Sequence, residues 1–171
     1  GMGLSIAHGM ALALRDPEAR ARPGDREPRV YVVLGDGECQ EGQVWEAAMS
    51  AAHYHSDNLC AFVDVNGLQI DGPVDQIMGV QPLAAKFEAF GWWTQEVDGH
   101  DLPGLLAALD RARAQAGKPS IIIARTIKGK GVSFCENQVG WHGRAPNDEE
   151  LALALQELGE GVGSPEQGAG S

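Results

Sequence analysis

The sequence predicts an α/β protein built on a doubly wound parallel sheet, and three observations support that fold. Strand-like and helix-like segments alternate along the chain, the pattern of a parallel sheet joined by crossover helices. The runs at residues 30–34, 59–65 and 120–124 are apolar on successive residues, as strands buried on both faces require. Two of these runs end in polar turns, Gly35-Asp36-Gly37 and Asn66-Gly67. Open α/β sheets bind their ligands at such carboxyl ends of strands.

The elements follow in order. Leu4, Ala7, Ala11 and Leu14 recur at helical spacing from the first residues. Residues 15–29 hold Pro17, Pro23-Gly24 and Pro28 with five arginines against four acids, and read as a solvated loop. After the strand at 30–34 and its turn, Val44, Ala47, Ala48, Ala51 and Ala52 predict a helix with one apolar face. A second strand over 59–65 ends at Asn66. The chain then turns through Asp71-Gly72-Pro73, with Ile70 just before. A short helix over 82–90 leads to a strand over 92–97. Asp101 is a fitting N-cap for the next helix, with Pro103 in its first turn and Leu102, Leu105, Leu106, Leu109 and Ala112 as its buried stripe. The strand at 120–124 is the last central one. A final helix over 148–158 carries Leu151, Leu155 and Leu158, and a Gly/Ser-rich tail over 159–171 is expected to be disordered.

Composition excludes several classes of function. The length of 171 residues suits one domain, and 43% hydrophobic with 22% charged residues is a globular balance. A net charge of −11 argues against sequence-independent binding of nucleic acid. Cys39, Cys60 and Cys135 are widely spaced and predict free thiols of a reducing compartment. No apolar run reaches the length of a membrane span and no signal peptide opens the chain, so a cytoplasmic location is expected.

The chemistry concentrates at the two strand tips. Strand, glycine turn and helix N-terminus make an anion site, because free N–H groups point into the turn. Gly37 leaves its own N–H and that of Glu38 accessible. Asp36 offers an anionic oxygen, Asn66 an amide oxygen, and the loop beyond it backbone carbonyls. Such all-oxygen donors suit Mg²⁺ or Ca²⁺ shared with phosphate, hence a metal-bridged diphosphate. The plainer readings are an Asx turn at Asp36 and, for Asn66-Gly67 alone, a hairpin turn.

Gly35-Asp-Gly-Glu-Cys-Gln-Glu-Gly-Gln-Val-Trp-Glu-Ala and Asp64-Val-Asn-Gly-Leu-Gln-Ile-Asp-Gly72 are similar to the diphosphate-binding domain of transketolases. So are Ile127-Lys-Gly-Lys-Gly-Val-Ser-Phe134 and Trp141-His-Gly-Arg-Ala-Pro146, four motifs in family order. The resemblance implies the thiamine diphosphate-binding fold over residues 1–158, without its usual N-terminal part, as in the N-terminal subunit of split, two-subunit transketolases. It implies thiamine diphosphate held by Gly35, Asp36, Gly37, Glu38, Asn66, Ile70, Lys128 and His142. Mg²⁺, with Ca²⁺ or Mn²⁺ as substitutes, would be bound by Asp36, Asn66 and the Leu68 carbonyl. His142 would act as proton donor or acceptor, and Glu41 would face the activating carboxylate of a partner domain. The implied reaction is two-carbon ketol transfer from a ketose (phosphate) to an aldose (phosphate). It would need a pyrimidine-binding, C-terminal partner subunit, with a dimer of heterodimers as the complete enzyme. Alone, Leu68 and Ile70 would read as core, Glu41 as a helix-dipole complement, and His142 as surface. His8 and His100 read as structural or surface, and His53 and His55 as helix residues that share no face.

Three competing identities are weaker. A deoxyxylulose-phosphate synthase or a 2-oxo acid dehydrogenase subunit shares Gly-Asp-Gly followed by Asn, but the Trp141-His142-Gly143 and Gln69-to-Gly72 text favours transketolase. A non-catalytic cofactor-binding fragment would keep fold and metal site without turnover. A Rossmann module fails because no GxGxxG follows a strand and opens a helix.

Overall fold

A computed structural model describes residues 1–16 and 28–159. The predicted insert at 15–29 and the predicted tail fall largely outside these described residues. The chain divides into two compact units, Gly1–Thr126 and Ile127–Ser171.

The first unit opens with α1 (Gly3–Ala13) and β1 (Val30–Gly35), then a 3-10 turn (Gly37–Gln40) and α2 (Gly42–His53). It continues with β2 (Leu59–Val65), a minimal hairpin of β3 (Leu68–Gln69) and β4 (Gly72–Pro73), α3 (Val74–Met78) and α4 (Leu83–Ala89). It closes with β5 (Trp93–Asp98), α5 (Leu102–Arg113) and β6 (Ser120–Arg125). β1, β2, β6 and β5 lie side by side in that order, all parallel.

The central strands are covered on both faces, as their unbroken apolar runs require. Leu59, Ala61, Val63, Ile121 and Ile123 pack with Leu4, Ala7 and Ala11 of α1, Val44 and Ala48 of α2, and Leu83 and Phe87 of α4. Cys60 and Ile122 point the other way, onto Ala108 and Ala112 of α5. Period-two alternation divides one strand between two cores. Burial pushes the Cys39 thiol up to about 12 and the Cys60 thiol up to about 11, so neither is a thiolate at neutral pH.

Three expectations are corrected in detail, and a fourth observation concerns the last helix. β1 is an edge strand, and its Val33 is 69% exposed because α5 packs over β5, β6 and β2 and not over β1. In α5 the buried residues are Ala108 and Ala112, with Leu109 half-buried, while Leu102 and Leu106 are exposed. Small residues face the sheet there because they let the helix approach closely. His55 lies beyond the end of α2 at φ 51°, so only His53 is a helix residue. The last helix, α6 (Asp148–Glu157), buries no residue, and Leu151 and Leu158 are exposed.

α6 belongs to the second unit, after a 3-10 turn (Val139–Trp141). A capping box starts it: Asn147 accepts from the Glu150 N–H while Glu150 accepts from the Asn147 N–H, both at 2.9 Å. Ser133 N–H and O–H both donate to the Glu157 carboxylate, tying the preceding loop to the helix's last turn. At Gly129 (φ 67°) an added Cβ would sit 2.8 Å from the Cys135 carbonyl oxygen, so that turn requires glycine.

Candidate functional site

The register of β1 against β2 places Gly35 opposite Asp64, and the Asp36 N–H donates to the Asp64 carbonyl at 3.0 Å. The two motifs therefore meet at adjacent strand ends. Asp36 is only 2% exposed. One carboxylate oxygen accepts from the Gly37 N–H at 2.9 Å, the other from the Gly67 N–H at 2.8 Å. Gly67 reaches across at φ 76°, a conformation that favours glycine. Gly37 is held close as well, since a Cβ there would lie 2.6 Å from the Gln69 Cβ.

Asn66 continues the same cluster. Its oxygen accepts from the Leu68 N–H at 3.0 Å, and its nitrogen donates to the Asp64 carboxylate at 3.0 Å. Thr126, just past β6, donates its hydroxyl to the other Asp64 oxygen, and its N–H bonds the Val65 carbonyl at 3.1 Å. Leu68 is paired with Pro73 across the hairpin, and a proline has no N–H to give. The ladder thus makes no claim on the Leu68 carbonyl. Asp36, Asn66, Gly67, Asp75, Arg125 and Thr126 line one cleft of about 500 Å³.

The electrostatics of this cleft suit a cation. Burial raises the pKa of Asp36 above the ordinary carboxylate value. The N–H groups of Gly67 and Gly37 oppose the rise, and repulsion from Asp64 adds to it. Among the described residues no Lys, Arg or His forms an ion pair with Asp36. A buried carboxylate and an amide oxygen are hard donors for a divalent metal with oxygen preference, while Leu68 is not among the residues that line the cleft. Among the described residues no cluster of three His, Cys, Asp or Glu suited to a metal occurs.

The remaining sequence candidates divide between the units. Gly35, Glu38, Glu41 and Ile70 join Asp36, Gly37, Asn66 and Leu68 in the first. The Gly35 N–H donates to the Glu38 carboxylate at 3.3 Å, and the Gly37 N–H that was expected to face phosphate is held by Asp36. Ile70, in the hairpin turn, is 67% exposed rather than core. Glu41 occupies the N-cap of α2, is exposed, and makes no capping hydrogen bond with its side chain.

Lys128 and His142 lie in the second unit. The Lys128 carbonyl accepts from the Asn137 N–H at 2.9 Å, closing a loop around the Gly129 turn. His142 is exposed and follows Trp141, whose ring lies 5.1 Å from that of Phe134 and 4.1 Å from the Arg144 guanidinium carbon. The loop is thereby folded on Trp141, leaving the imidazole outside.

Asp64, Asp75, Arg125 and Thr126 at the site escaped the sequence reading as contributors. A carboxylate inside the apolar run 59–65 was the available signal, because such a group is retained only when it is paired. Thr126 carried none.

Residues 1–165 match the family described as transketolase, thiamine diphosphate binding domain. The 6-deoxy-6-sulfo-D-fructose transketolase subunit SqwG of Clostridium sp. (strain MSTE9) is 43% identical over 159 residues, 92% of this chain and 55% of that protein. An apulose-4-phosphate transketolase subunit of Actinobacillus succinogenes is 40% identical over 92% of this chain and 54% of its own length. The chain therefore spans about half the length of these relatives. Among solved structures, transketolase from Campylobacter jejuni superposes with a TM-score of 0.81 at 31% identity, covering 93% of this chain and 25% of that one.

Proposed function

The chain belongs to the transketolase family through its thiamine diphosphate-binding domain, and on that premise we propose that it anchors thiamine diphosphate through a divalent cation, Mg²⁺ foremost, for two-carbon ketol transfer between sugars. The observation that carries the cation is Asp36, buried and without a cationic partner among the described residues, next to Asn66 at the tips of two parallel strands. Asp36, Asn66 and the Leu68 carbonyl would hold the metal. Gly35, Gly37 and Glu38 would line the diphosphate, and the exposed Ile70 would give the cofactor's rings an apolar contact.

Thiamine diphosphate, when bound, supplies the carbon nucleophile and electron sink for breaking and remaking the bond beside a ketose carbonyl. Lys128 would give the diphosphate a point charge. His142 would hold or move a proton at the substrate oxygen, the work a histidine does near neutral pH. Glu41, exposed at the start of α2, would face the activating carboxylate of a pyrimidine-binding partner subunit. These three roles draw their support from the family match over residues 1–165. The substrates would be a ketose and an aldose, free or phosphorylated.

The test is calorimetry with thiamine diphosphate and Mg²⁺, with and without a pyrimidine-binding subunit, beside a ketol-transfer assay. The expected outcome is metal-dependent binding, and turnover only with the partner. Turnover by the purified chain alone would refute the partner requirement. No metal-dependent binding under either condition would refute the anchor.

A further inference from the structure

We propose that Asp64, backed by Thr126, is a positioning residue that fixes the side-chain amide of Asn66 so that its oxygen, and not its nitrogen, is presented to the cation. A carboxylate only accepts hydrogen bonds and a backbone N–H only donates them. The Asn66 atom 3.0 Å from the Asp64 oxygen is therefore the nitrogen, and the atom 3.0 Å from the Leu68 N–H is the oxygen. Rotating the amide by half a turn would set two acceptors together at one end and two donors at the other. Asp64 is what makes that rotation prohibitive, because its bond to the amide is charge-assisted.

Asp64 is itself held. Its second oxygen takes the Thr126 hydroxyl, and its backbone carbonyl takes the Asp36 N–H at 3.0 Å. Residue 64 thus touches the tip of β1, the tip of β2 and the chain leaving β6. Partners of this kind around metal-binding side chains change metal affinity by about ten- to a hundred-fold when removed. The cation rests on the functional reading above. The amide orientation rests on hydrogen bonds alone, so the two can fail separately.

The test uses the purified chain, Mn²⁺ with thiamine diphosphate as an EPR-visible probe, and NMR of the Asn66 side-chain amide, assigned by its loss in Asn66→Asp. Asp64→Ala should weaken Mn²⁺ binding by about ten- to a hundred-fold and remove the amide protons' protection from exchange. Thr126→Val changes no charge and should weaken binding in the same direction, with Thr126→Ser restoring it. Thermal melts without metal report any merely structural loss, and Thr126→Val decides the matter if Asp64→Ala does not fold. Unchanged amide protection in both variants, or wild-type Mn²⁺ affinity in a folded Thr126→Val protein, would overturn the proposal. If the wild-type chain binds no Mn²⁺ either with or without a pyrimidine-binding subunit, the cation reading falls, and the exchange comparison still decides the role of Asp64.

Discussion

At Asp36 a single side chain satisfies two backbone N–H groups, faces the like charge of Asp64, and is almost wholly buried at the wall of the cleft. Removing it has two separable consequences. Asp36→Ala should remove the hydrogen bonds that Gly37 and Gly67 give to a carboxylate and cost about 1–3 kcal/mol in a thermal or denaturant melt. It should also abolish the metal dependence of thiamine diphosphate binding measured by calorimetry. The raised pKa sets the sign of a pH effect. With its folded pKa above the unfolded one, Asp36 contributes stability that is present at acid pH and lost as pH rises through the folded value. A bound cation reverses that loss. The rise in melting temperature on adding Mg²⁺ and thiamine diphosphate should therefore shrink as pH falls into the carboxylate range. A shift independent of pH would contradict the proposed role of Asp36 as ligand.

Elements are held to one another by contacts that no local pattern announces. His8 of α1 bonds Ser50 of α2 at 3.0 Å and Ser56, just before β2, at 3.2 Å, and burial followed by repulsion from Arg15 lowers its pKa below 6.5. Folded His8 thus resists protonation, so stability should be full above the ordinary imidazole value and fall as pH drops below it. A His8→Gln variant should flatten that part of the melting profile. An unchanged profile would remove His8 from the account. At the hairpin, Gly37→Ala would drive its Cβ into Gln69, with an overpacking cost of about 1–3 kcal/mol read by melting. In the second unit, Asn147→Ala should cost α6 about 1 kcal/mol, read as lost helicity or hydrogen-exchange protection. The element boundaries were legible because strand runs, Asp101 at the start of α5 and helical spacings are local signals, although the Asp101 side chain makes no capping hydrogen bond and the Asn147 cap of α6 was not read. The exposed face of α5 was not. Leu102 and Leu106 match the helical period as well as Ala108 does, and only the approach of α5 to Cys60 and Ile122 decides which residues are buried.

For the whole molecule, the alternation of strand and helix was enough to read a parallel sheet, while the order β1-β2-β6-β5 was not, because crossovers leave no trace in any one segment. That order makes β1 an edge and exposes Val33, which the apolar run alone would have buried. The site was half legible. Asp36 and Asn66 stood at marked turns, whereas Asp64 was read as part of a strand and its grip on Asn66 appears only once β1, β2 and β6 are aligned. All of this turns on the proposal that Asp36, Asn66 and the Leu68 carbonyl share one hard cation. The most direct measurement is an anomalous-diffraction map of the protein crystallised with thiamine diphosphate and Mn²⁺, together with a pyrimidine-binding subunit. One peak should lie about 2 Å from all three oxygens. A cofactor-bound crystal whose manganese peak lies away from Asp36 and Asn66 would contradict it.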